Sequence, residues 1–179
     1  KILKEEFGIS KGLASTETVT RTVDTQPWRM PGERKDRLTK DIQEPRVQIL
    51  DPATGTGKFL NETIKLIAER KQHLGSSWSS YVESNLLPRL HGFELLMAAY
   101  SMAHMRIGLS LAESGYTPSR EHPRIGVYLT NTLEEPAQDE PPLLAMLGMS
   151  RAITEEAIAA DKVKRDLPIM VVMGNPPYS

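Results

Sequence analysis

A short apolar run, Val47-Gln48-Ile49-Leu50, passes directly into Asp51-Pro52-Ala53-Thr54-Gly55-Thr56-Gly57-Lys58-Phe59-Leu60 and then into a stretch with helical apolar spacing that reaches about Gln72. Strand, Gly-rich turn and helix form the first unit of a doubly wound, mainly parallel α/β sheet. The glycines let the backbone approach a ligand at the carboxyl end of the strand. Phe59, Leu60, Ile64, Ile67 and Ala68 then give the helix one apolar face to lay on the sheet. Two common uses of such glycines fail on residue identity. A phosphate-binding P-loop needs Gly where Pro52 stands and Ser or Thr where Phe59 stands. A dinucleotide fingerprint needs a third Gly where Leu60 stands. Asp51, an acid beside the loop, suits a ligand with a cationic amino-acid portion, namely S-adenosylmethionine. The plainer alternative is an Asp that caps a turn. Gly55 and Gly57 are expected at positive φ or where a side chain would enter the ligand space. A valine at position 57 is therefore expected to block the ligand and spare the fold.

Three further strand ends follow. Leu90-His91-Gly92-Phe93-Glu94 reads as a second strand ending in an acid, which can accept from both hydroxyls of a ribose. Residues 125–130 read as a third strand, followed by Asn131-Thr132-Leu133 at the edge where an adenine would lie. Ile169-Met170-Val171-Val172-Met173-Gly174 reads as a last, buried strand that delivers Asn175-Pro176-Pro177-Tyr178-Ser179. That turn has a chemical use. A conjugated exocyclic amine is a poor nucleophile, because its lone pair is delocalised. An Asn side-chain oxygen and the backbone carbonyl of the first Pro can accept both amine hydrogens and favour sp³ geometry. The prolines fix φ and remove two donors, leaving a rigid turn that presents acceptors. The Tyr face can stack on a planar substrate. As a bare string the same residues also make an ordinary turn after a strand.

The order of Asp-Pro-Ala-Thr-Gly-Thr-Gly-Lys-Phe-Leu, Gly-Phe-Glu-Leu, Leu-Thr-Asn-Thr-Leu and Gly-Asn-Pro-Pro-Tyr resembles the N6-adenine DNA methyltransferases of restriction–modification systems. The residues between motifs, Gly92 to Met97 with Ala103-His104-Met105-Arg106-Ile107-Gly108-Leu109, look like the large single-chain enzymes that join nuclease, helicase and methylase. The resemblance spans residues 46–179. It implies a Rossmann-like methyltransferase core, S-adenosyl-L-methionine as cofactor, and double-stranded DNA whose target adenine is flipped out of the helix. Carried over by position, it assigns the cofactor to Asp51, Pro52, Ala53, Thr54, Gly55, Gly57, Phe59, Glu94, Leu95, Asn131, Thr132, Leu133 and Asn175. It assigns the target base and the chemistry to Asn175, Pro176, Pro177 and Tyr178. Many such enzymes carry Asp where Asn131 stands. An amide can still accept from the adenine amine and donate to a ring nitrogen. A methylase of RNA adenine or of protein glutamine, whose substrates also present planar amines, stays open. So does a non-catalytic cofactor-binding module of a larger machine.

The sequence starts at Lys1 without an initiator Met and stops just after the turn. Against the family pattern, a preceding cofactor motif, later strands and a target-recognition region are missing. The expectation is a fragment, inactive alone, with residues 46–179 the cofactor-binding part. Residues 1–45 read as a polar N-terminal segment or insertion. Within them Lys1 to Phe7 reads as the end of a helix and Leu13 to Pro45 as a loop. A net charge of −1 supplies no basic footprint, as expected if DNA-gripping parts lie elsewhere. The absence of Cys excludes a disulfide scaffold and any Cys-ligated metal, and is compatible with a cytoplasmic location. His73, His91, His104 and His122 lack metal-ligand spacing, and His104 reads as a packed or surface residue. No apolar run approaches a membrane span and no signal peptide is visible. Leu95 to Ser114 reads as a helix whose methionines fill the core. Glu134 to Pro142 reads as a surface loop. Thr154 to Arg165 reads as a third helix that Thr154 caps, with Lys162, Lys164 and Arg165 near its end.

Overall fold

The computed structural model describes residues 1–24, 39–119, 122–132 and 151–176. Its centre is a four-stranded parallel sheet of β3 (Gln48–Asp51), β4 (Leu90–Glu94), β5 (Val127–Leu129) and β6 (Ile169–Val172), in the spatial order β5-β4-β3-β6. The chain steps outward from β3 to β4 to β5, then returns to the other side of β3. That reversal puts a topological switch point between β3 and β6, where open α/β sheets bind ligands at the carboxyl ends of their strands.

Alternation along the strands explains the layers. Ile49 and Val127 belong to one apolar cluster with Leu60, Ile64 and Ile67 of α2 (Lys58–Arg70) and Ala103, Ile107 and Leu111 of α4 (Met97–Glu113). Their neighbours Leu50 and Tyr128 point the other way. With Phe93 they pack on Ala160 and Val163 of α5 (Arg151–Asp166). Helices therefore cover both faces, as a parallel sheet requires. The fold is α/β and doubly wound, as the motif order predicts. Two helix expectations are corrected: α5 begins at Arg151, so Thr154 stands inside it, and Met97, Met102 and Met105 of α4 are exposed rather than core-filling, its buried face being Ala103, Ile107 and Leu111.

The N-terminal segment departs most from expectation. α1 is a single turn, Ile2–Glu5. The expected loop from Leu13 to Pro45 contains an antiparallel pair, β1 (Thr18–Asp24) and β2 (Thr39–Pro45), in register from Thr18↔Pro45 to Asp24↔Thr39. β-branched Thr and Val suit the strand, and polar cross-strand pairs hold it. Arg21 grips Glu44 through two hydrogen bonds of 2.7 Å. Thr22 donates to Asp41 at 2.6 Å and Gln43 to Thr20 at 2.7 Å.

Between Gln72 and Arg89 the chain forms helical turns that include α3 (Trp78–Tyr81). Trp78 stacks on Tyr81 with ring centroids 5.6 Å apart. Arg89 closes this region from inside: it is fully buried and donates to the Ser15 carbonyl and, at 2.7 Å, to the Tyr81 hydroxyl. Among the described residues no helix is long and apolar enough to cross a membrane.

Candidate functional site

The carboxyl ends of β3, β4 and β5 and the residues after β6 gather most of the expected site. Asp51, the last residue of β3, is fully buried. Its Oδ1 accepts from the Ala53 amide at 3.2 Å, and its buried Oδ2 has no hydrogen-bond partner among the described residues. Burial pushes its carboxyl from the ordinary 3.8 up to about 6, against the Ala53 amide, while the neighbouring Glu94 charge adds to the rise. A buried carboxylate with one orphaned oxygen fits a cationic ligand group, whose charge would offset that desolvation.

Backbone and side chain then fold the loop back over the sheet. Thr54 donates through its hydroxyl to the Asp51 carbonyl at 3.1 Å and through its amide to the Phe93 carbonyl at 2.9 Å. Gly92 lies beneath: a Cβ there would collide with Thr54 Oγ1. A glycine inside a strand signals such close approach. Gly55 has φ +55° and open space around its missing Cβ. Gly57, at φ +78°, precedes α2, and a Cβ there would lie 3.1 Å from Ala103 Cα. Positive φ is as expected at both. The expectation that a side chain at 57 would spare the fold is corrected, because that position faces helix α4.

Glu94 ends β4 and accepts the Gly55 amide at 2.7 Å and the Leu96 amide at 2.8 Å. It therefore fixes the shape of the Gly loop while each oxygen keeps a lone pair that could accept from a ligand hydroxyl. Leu95 beside it is 64% exposed and Phe59, in the first turn of α2, 41% exposed, so both present apolar surface near the loop. The turn after β5 is pinned residue by residue. The Thr130 amide donates to the Glu94 carbonyl at 2.9 Å, the Asn131 carbonyl accepts Lys164 Nζ at 2.8 Å, and Thr132 Oγ1 donates to the Pro52 carbonyl at 2.5 Å. Lys164 was expected only as a cation near the end of a helix.

On the far side of β3, the Met173 amide extends the β6 pairing by donating to the Leu50 carbonyl at 2.9 Å. Gly174 follows against Asp51: a Cβ there would lie 2.7 Å from Asp51 Oδ1 and 3.3 Å from Pro52 Cδ. The absent side chain lets the strand that carries Asn175 and Pro176 meet the acidic loop. Asn175 and Pro176 are exposed. Leu133, Pro177 and Tyr178 lie outside the described residues, as does the expected surface loop from Glu134 to Pro142. His104 packs on Tyr100 with ring centroids 4.5 Å apart and lies 3.3 Å from the Val127 carbonyl, in keeping with a packed residue. No cluster able to hold a metal occurs among the described residues.

No described protein family and no curated protein matches the sequence. Solved structures do. Over 99% of its length the chain is similar to a nuclease-deletion mutant of the Type ISP restriction-modification enzyme LlaGI in complex with a DNA substrate mimic, with a TM-score of 0.62 and 24% identity. It is equally similar, at TM-score 0.62, 24% identity and 99% coverage, to the ATP-dependent Type ISP restriction-modification enzyme LlaBIII bound to DNA. It spans 11% and 9% of those chains. What the chain shares with these Type ISP enzymes is the fold of one short part of each.

Proposed function

We propose that the chain is the cofactor-binding core of an S-adenosylmethionine-dependent DNA adenine-N6 methyltransferase, part of a restriction–modification enzyme. The observation that carries this reading is the meeting of Asp51 with Gly174, which brings a buried acid and the Asn175-Pro176 turn to one switch point. The fold shared with two restriction-modification enzymes, one bound to DNA and the other to a DNA substrate mimic, supports DNA as the substrate.

In this reading the cofactor supplies an electrophilic sulfonium methyl. Asp51 accepts its ammonium, Glu94 its ribose hydroxyls, and Asn131 its adenine. Asn175 Oδ1 and the Pro176 carbonyl would accept hydrogen bonds from the two N–H groups of the target amine and turn its lone pair toward the methyl. Tyr178 stacks on the flipped base. Positioning supplies much of the rate. A strong general base is not required if the amine loses its proton after transfer.

The test has two arms. S-adenosylmethionine at about 100 times its dissociation constant should stabilise the protein by about 2.7 kcal/mol, read by thermal or chemical denaturation. In the full-length protein Asn175→Ala should slow tritiated methyl transfer to DNA by about 10²–10³ while cofactor affinity stays within a few-fold. Wild-type transfer rates in that variant would sink the catalytic assignment. Transfer to RNA or to a glutamine peptide instead of DNA would redirect the substrate.

A further inference from the structure

The turn after β5 is held by bonds of different kinds. Thr130 is tied to β4 through backbone, and Thr132 to the Gly loop through its hydroxyl. Between them, Asn131 is held by a charged side chain from another element. Lys164 leaves α5 beside Val163, which packs into the core, and its ammonium stands over the Phe93 ring at 5.6 Å from the centroid. It donates to the Asn131 carbonyl at 2.8 Å and reaches Thr130 Oγ1 at 3.3 Å. A charge-assisted bond to a carbonyl is stronger than a neutral one. We propose that Lys164 is a positioning residue: through the Asn131 carbonyl it fixes the Asn131 side chain where the adenine of the cofactor binds.

The inference rests on the methyltransferase reading, in which Asn131 faces that adenine. A merely structural lysine, placed near a helix end to complement its dipole, would alter stability and leave the base contact alone. A double-mutant cycle separates the two roles. S-adenosylhomocysteine is titrated by calorimetry into the intact protein carrying Lys164→Met, Asn131→Ala or both, and melting without ligand reports the fold. Lys164→Met should weaken binding about tenfold. Most of that loss should vanish in the Asn131→Ala background, where no side chain remains to be positioned. Lys164→Arg, which can reach the same carbonyl, should stay within about threefold of wild type. Unchanged affinity in Lys164→Met overturns the proposal, and so do losses that multiply independently in the double variant. If Lys164→Met does not fold, Lys164→Arg decides: a folded Arg variant that has lost affinity overturns the role. A wild-type protein that does not bind the ligand refutes the methyltransferase reading instead.

Discussion

At Asp51 two demands conflict. A ligand with a positive group needs the ionised carboxylate, while burial favours the acid. The folded protein holds this proton more tightly than the unfolded chain does. The stability that Asp51 contributes is therefore fully present below about pH 4 and is lost as pH rises toward 6. Above that range the ionised group costs up to about 3 kcal/mol when no cation faces it, since the carboxyl has moved from 3.8 to about 6. Asp51→Asn keeps an oxygen for the Ala53 amide and removes the charge. The variant should be more stable than wild type at pH 8, by up to that amount, with the gain shrinking toward zero at pH 4. It should also bind S-adenosylmethionine poorly. Urea denaturation at the two pH values reads the first effect, and an equal difference at both would refute the charge as its cause.

Elements depend on single contacts that differ in how visible they are. Gly55 and Gly57 look equivalent in the sequence, yet only Gly57 abuts another helix. Gly55→Ala should cost about 1–2 kcal/mol of left-handed strain and still fold. Gly57→Val adds a collision with Ala103 and should lose clearly more, with a lower urea midpoint at an unchanged slope. A second contact joins the N-terminal segment to the core through Arg89. Arg89→Ala would leave the Ser15 carbonyl and the Tyr81 hydroxyl unpaired around a cavity and should cost about 3–5 kcal/mol, read as a lowered denaturation midpoint. The strand–turn signals at Asp51, Glu94 and Gly174 were legible because parallel strands are apolar runs and their ends are marked by Gly, Pro and acids, although β6, expected to be buried, is only half-buried and Val172 is exposed. β1 and β2 were not legible. Their Thr-Val-Thr-Arg alternation is half-polar on both faces, so apolar periodicity has nothing to register, and the pairs that hold them join residues far apart in the chain. Arg89 and Lys164 were illegible for a related reason. A lone cation in a sequence does not say which carbonyl it will find, and the Arg89 carbonyl acceptor, Ser15, lies in a segment that read as loop.

The whole molecule is set by one return of the chain. Ile49 pairs with Leu90, but Gln48 pairs with Ile169. Closing the second loop, about three times longer, costs about 1 kcal/mol more in chain entropy, before any ordering of what lies between. Pulse-labelled hydrogen exchange during refolding should therefore find the amides of β4 protected before those of β6. Simultaneous protection would argue against a stepwise assembly. Because β6 carries Gly174 to Asp51, order in time becomes order in competence. A growing chain possesses the Gly loop, its glutamate clasp and most of the apolar core long before it can present a wall opposite the acid. The site thus matures with the arrival of β6, and a nascent chain stalled short of it would be largely folded yet lack the wall opposite Asp51.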